Sequence, residues 1–201
     1  MLKRRILALT IPLLFGCVKV KDVKTPSPAI MIKPLVTRRM HVDIDFTKEE
    51  YRILVEAGKH LENETRGRVK IEFLQDLDMS RPFMIAAGGV FVGDHWRIVR
   101  VMAESRAHAN LNERFDGLNV LGLCNYEDRT IFMVSDGDNK PRIYQHIAEH
   151  EYLHSMGLKH TKDPKGIMAK FVASEEPLDM HDSDREAFCK ALDCNVKEIW
   201  K

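Results

Sequence analysis

An α+β fold is the class this sequence predicts, and three observations carry it. Arg39 to Phe46 alternates Met40, Val42, Ile44 and Phe46 against His41, Asp43 and Asp45, which is the period of a half-buried strand. Tyr51, Leu54, Val55, Gly58 and Leu61 then recur at helical spacing to about Glu64, behind a capping-box start at Thr47 and Glu50. Val69, Ile71 and Phe73 alternate again, against Lys70 and Glu72. Strand, helix and strand in that order predict two parallel strands joined by a crossover helix.

The rest of the chain continues in the same vein. Gly67 breaks the first helix. Pro82 to Gly93 carries Gly88, Gly89 and Gly93 and reads as a loop. Trp96 to Met102 reads as a third strand. His95 and His108 flank it and read as ordinary surface or core histidines, since no tight ligand spacing joins them. Ala107 to Asn119 is polar and irregular. Val120 to Cys124 and Thr130 to Val134 are short apolar runs with a turn between them, as in paired strands. Leu121 to Asn125 is the candidate edge strand, to which an extended peptide can add as a further strand. Ser135 to Asn139 reads as a plain turn, because it lacks the full pattern of a calcium loop.

Composition narrows the classes. With 201 residues the chain can bury one real core but not two large ones. A net charge of +1 gives no electrostatic case for nucleic acid as a partner. Four scattered cysteines are too few for a disulfide framework. Cys189 and Cys194 are close enough in sequence to bridge in an oxidising compartment or to stay free. Cys124 reads as a small buried apolar residue.

The chemistry concentrates at His150 to His160, which reads H-E-x-x-H-x-x-G-x-x-H. His150 and His154 lie four apart on a helix that begins near Pro141, so both imidazoles share one face and can hold one ion. Glu151 sits one position round, where a general base for a zinc-activated water belongs. Gly157 tolerates positive φ and can turn the chain out of the helix. His160 then swings back as third ligand. His146 lies four before His150, but a third ligand on one straight helix makes poor tetrahedral geometry, so His160 is preferred. Three imidazoles leave one position open, the mark of a catalytic rather than a structural zinc site.

The N-terminus reads as a targeting segment. Met1 to Arg5 is basic and Ile6 to Phe15 largely apolar, long enough for a signal-peptide core and too short to span a bilayer. Leu14-Phe15-Gly16-Cys17 resembles the lipobox of bacterial lipoproteins, with Phe15 where a small residue is usual. The resemblance implies a signal peptide over residues 1–16, cleavage before Cys17, and lipid on its sulfur. Membrane attachment follows, with an ordinary secretory signal as the alternative. Val18 stands where an Asp retains lipoproteins in the inner membrane, which points to the outer membrane in a Gram-negative host. Lys19, Lys21, Lys24, Pro26, Pro28 and Pro34 mark the following stretch as an extended tether, so that residues 17–38 form lipidated Cys and tether.

His150 to His160, with Met168 eight residues further on, resembles the metzincin clan of zinc endopeptidases. Asp163-Pro164 and the placing of Met168 resemble the matrixin branch. The resemblance covers roughly Arg39 to Asp193 and is specific over His150 to Met168. It implies a twisted, mainly parallel sheet with an antiparallel edge strand, an active-site helix, a Met-turn at Met168 beneath the metal, and a C-terminal helix that starts at Asp182. Residues 39–201 are then the catalytic domain. Lys170 stands where matrixins usually have Pro. The Pro-Arg-Cys-Gly switch is missing, which argues against matrixin-style zymogen control. Lys170 to Met180, with Phe171, Pro177 and Leu178, is expected to wall the pocket for the residue after the cleaved bond.

The function expected is therefore hydrolysis of peptide bonds in a polypeptide substrate by a monomeric, membrane-tethered enzyme with one catalytic Zn²⁺. Two alternatives stay open. One is a non-catalytic zinc-binding lipoprotein. The other is a zinc hydrolase of peptidoglycan cross-links.

Overall fold

The computed structural model describes residues 35–74, 94–135, 140–170 and 179–200. The signal segment, Cys17, most of the tether, the 82–93 loop, the 136–139 turn and the pocket wall at Phe171, Pro177 and Leu178 lie outside the described residues. Among those described, five strands form one sheet: β1 (Val36–Val42), β2 (Val69–Leu74), β3 (His95–Met102), β4 (Gly122–Asn125) and β5 (Thr130–Ser135). Their spatial order is β2-β1-β3-β5-β4. All neighbours run parallel except β4, which pairs antiparallel with β5 at the edge. The α+β class and the parallel β1–β2 pair hold as the sequence predicts.

Five helices accompany the sheet among the described residues: α1 (Lys48–Glu64), α2 (Arg106–Arg114), α3 (Pro141–Ser155), α4 (Asp182–Leu192) and α5 (Val196–Ile199). The strands' two-residue period sorts the core into two faces. Met40, Ile98, Ile131 and Met133 point one way and pack with Leu54 and Leu61 of α1 and Tyr144, Tyr152 and Leu153 of α3. Val101 and Val134 point the other way, onto Leu111 of α2. The larger cluster is thus a sheet face covered by two helices side by side, α1 against β2 and α3 against β4 and β5.

Two sequence readings are corrected. The first strand occupies Val36–Val42 rather than running on to Phe46, and Ile44 is 67% exposed. The reason is Asp43, whose side chain accepts from the Asp45 amide while its carbonyl accepts from Phe46, so the backbone turns instead of extending. The stretch read as polar and irregular contains α2. That helix buries only His108 and Leu111, too few to leave an apolar stripe, and is started by Ser105, which accepts from the His108 amide. His108 is a structural core histidine: its Nδ1 accepts from the Glu104 amide, and its Nε2–H donates to the Val120 carbonyl.

The join between α1 and β2 depends on Thr65, which is fully buried. Its hydroxyl donates to the Leu61 carbonyl at 2.7 Å and accepts from the Val69 amide at 3.2 Å. Arg66 and Gly67 then take positive φ and reverse the chain. Thr65→Val keeps the shape but removes both bonds. It is expected to cost about 1–2 kcal/mol in urea unfolding, with the fold retained.

Candidate metal centre

The centre is built on α3, which is buried nearly all round. Tyr144, Ile147, Ala148, Tyr152 and Leu153 anchor it in the core. Pro141 opens it at a position where no amide partner is needed. It ends after Ser155. The amides of Gly157 and Leu158 fold back onto the His154 and Leu153 carbonyls. Gly157 has φ +93°, and nothing lies within 4 Å of where its Cβ would be. Glycine is required there by the backbone conformation alone, not by lack of room.

That turn brings His160 back over the helix. Its Nε2 lies 3.2 Å from the Nε2 of His150 and 3.2 Å from the Nε2 of His154. Two imidazole nitrogens bound to one tetrahedral zinc stand about 3.3 Å apart, so the spacing fits a shared ion. The ring orientations fit as well. Nδ1–H of His150 donates to the Ile167 carbonyl at 2.7 Å, and that of His154 to the Leu158 carbonyl at 2.8 Å. Each bond fixes the tautomer that leaves Nε2 unprotonated and facing the centre. Burial, with the neighbouring imidazoles, lowers the pKa of His150 to about 3, and burial lowers those of His154 and His160 too. All three rings are held neutral, the state that binds a metal. His146 stays outside the trio, beside Ile167.

Glu151 is almost completely buried against the edge strand. Burial pushes its pKa up to about 8, against the Cys124 amide, which donates to the carboxylate. Its Oε2 has no hydrogen-bond partner among the described residues. A cation on the three histidines would favour the ionised form. The close approach of helix and strand depends on Gly122: a Cβ there would stand 2.6 Å from Ile147 Cγ2 and 2.7 Å from Glu151 Oε1. Cys124 is a free, partly buried cysteine, and burial raises its thiol pKa well above the ordinary range. A cleft of about 720 Å³ opens over the centre, lined by Leu118, Leu123 and Tyr126 on one side and by His154 and Lys170 on the other.

Met168 is fully buried in the segment after His160. What holds that segment is Asp184, in the first turn of α4. Its carboxylate is fully buried and accepts from the amides of Ile167 at 3.0 Å, Met168 at 3.1 Å and His181 at 3.0 Å. Thr161 Oγ1 donates to it at 3.4 Å. The peptide whose Met168 amide donates to Asp184 accepts from His150 through the Ile167 carbonyl. An acid three residues into a helix was the available signal, but nothing local says that it also serves a distant turn. Cys189 and Cys194 form a disulfide at the end of α4. Asp184→Asn presents an amide NH₂ to these donors. It is expected to cost about 2–3 kcal/mol of stability in urea unfolding, and to weaken zinc binding about ten-fold in a competition titration with a chelator.

A family model described as Matrixin matches residues 59–191. No curated protein matches the chain. Among solved structures, the archaemetzincin of Methanopyrus kandleri is similar in fold, with a TM-score of 0.51 at 16% identity, covering 79% of this chain and 96% of that one. The Matrixin match runs from the last turns of α1 through the three histidines and Met168 to the end of α4, and the chain belongs to the matrixin family, whose members are metzincin-type zinc metalloproteases.

Proposed function

We propose that this chain is a zinc endopeptidase held at a bacterial membrane surface by lipid on Cys17. One observation carries the catalytic half: three Nε2 atoms converge beside a buried carboxylate at the foot of an edge strand. One zinc ion suits three neutral imidazoles and leaves a position for water and substrate. Zinc bound there supplies Lewis acidity, lowering the pKa of a water towards ~7 and polarising the scissile carbonyl.

The chain's own residues do the rest. The Ile167 and Leu158 carbonyls keep His150 and His154 in register. Glu151 is the general base. The Cys124 amide anchors its carboxylate, and its unpartnered Oε2 takes the proton of the attacking water and then delivers it to the leaving amine. This path forms no covalent enzyme intermediate, and Cys124 with its raised thiol pKa is not called on. Met168 packs as the floor. On the side away from β5, β4 has no strand partner among the described residues. Its backbone groups suit an extended polypeptide lying antiparallel along it. An open cleft along a strand favours that substrate over a branched peptidoglycan cross-link.

The envelope half of the proposal rests on the basic start, the short apolar core and the lipobox-like Leu14 to Cys17. The outer membrane is the proposed destination in a Gram-negative host, and the working unit is a single chain.

Glu151→Gln is expected to lower cleavage of a denatured protein substrate at least a thousand-fold (about 4 kcal/mol of barrier) while one zinc stays on the histidine trio. Full activity in that variant would sink the mechanism. Chelation should abolish wild-type cleavage and zinc should restore it. Zinc on the trio with no cleavage of any denatured protein would support a non-catalytic binding module instead. Radioactive palmitate should label the full chain expressed in bacteria and not its Cys17→Ser variant; label in both would remove Cys17 as the anchor.

A further inference from the structure

A second group of metal-ligating side chains lies on the other side of α3. His60 and Glu64 are four apart in the last turns of α1 and so share one helical face. Asp179 comes from the segment that leads into α4. One donor atom from each of the three falls within 4.8 Å of the others. Glu64 Oε2 accepts from the Met180 amide at 3.1 Å, which draws the Asp179 segment onto the end of α1.

Behind His60 stands Glu149 of α3, a fully buried carboxylate. Its Oε1 accepts from Gln145 at 2.8 Å and lies 3.2 Å from His60 Nδ1, while its Oε2 has no hydrogen-bond partner among the described residues. His60 Nδ1 lies beside this carboxylate but makes no well-formed hydrogen bond among the described residues, and one of the two ring nitrogens falls within the three-residue group. A carboxylate behind a histidine that faces two further ligands is the arrangement that orients and strengthens a metal-binding imidazole. The acidic surroundings of the ring, Glu149 first and then Glu64 and Asp179, also favour a positive charge there.

We propose that His60, Glu64 and Asp179 bind a second divalent cation, with Glu149 as the positioning residue for His60. An imidazole with two carboxylates selects a zinc-like transition metal over calcium or magnesium, which prefer oxygen donors alone. The ion would tie the end of α1 to the lead-in of α4, the helix that carries Asp184. This site is separate from the trio and does not depend on proteolysis.

Zinc counting on the full chain, stripped with chelator, reloaded with zinc and desalted, tests it. The wild type is expected to hold two equivalents. Asp179→Asn, a change at an exposed side chain, should lower the count to one or weaken the second equivalent at least ten-fold. His60→Gln should do the same. His150→Gln with His154→Gln should retain one equivalent, and zinc should still raise its Tm. A wild type with one equivalent that the double change removes would overturn the proposal, as would a second equivalent indifferent to both Asp179→Asn and His60→Gln.

Discussion

The carboxylate of Asp184 is the constraint on which the metal centre rests. It is buried, with no cationic partner in a salt bridge among the described residues, and it is stabilised by the amides of Ile167, Met168 and His181 together with the Thr161 hydroxyl. Hydrogen bonds to an ionised acceptor are stronger than neutral ones, and burial removes the water that would compete for them. One group thereby fixes the start of α4 and the turn around Met168. Because the Ile167 carbonyl in turn holds His150 Nδ1, the orientation of the first ligand ring is set from a helix that itself contributes no ligand.

A second constraint is distance between helix and sheet. Glu151 has to lie within reach of the cleft yet leave water behind, and it does so by pressing onto β4. Gly122 makes that approach possible, and the Cys124 amide donates to the carboxylate. The edge position of β4 serves two ends. It supplies a wall that closes over Glu151, and it leaves one side of a strand without a protein partner among the described residues. The rest of the sheet is parallel and packed, as crossover connections require.

Helix α3 is unusual in carrying polar groups deep into both of its flanks. His150, His154 and Glu151 face the cleft, while Glu149 faces α1. Buried ionisable groups on a helix this central are costly unless each finds a partner of opposite charge or a hydrogen-bond donor. On the cleft side backbone carbonyls stand behind the rings of His150 and His154, whose Nε2 atoms are spaced with that of His160 to hold a metal ion. On the α1 side Glu149 meets Gln145 and His60, and through His60 a pair of further carboxylates. The two sides share a physical problem, which links the proposed second cation to the first.

By itself the sequence determined the class of fold, the order of its elements and the chemical core of the site. Two-residue and helical periods survive in any sequence with one buried face, so β1, α1, β2, β3 and β5 were legible. The ligand trio was legible because its spacing is set by helix geometry and one glycine turn, both local. What only the tertiary structure decided was everything set by contacts between distant segments. Helix α2 buries too little to leave a period. The end of β1 is fixed by an Asp side chain that captures its own backbone rather than by the alternation running through Phe46. Asp184 and Gly122 owe their roles to residues 17 and 29 positions away. His60 and Asp179 lie 119 positions apart and meet only because α1 packs beside α3 while the chain returns past its end. No local pattern encodes such a meeting, since it is the folded core that brings the partners together.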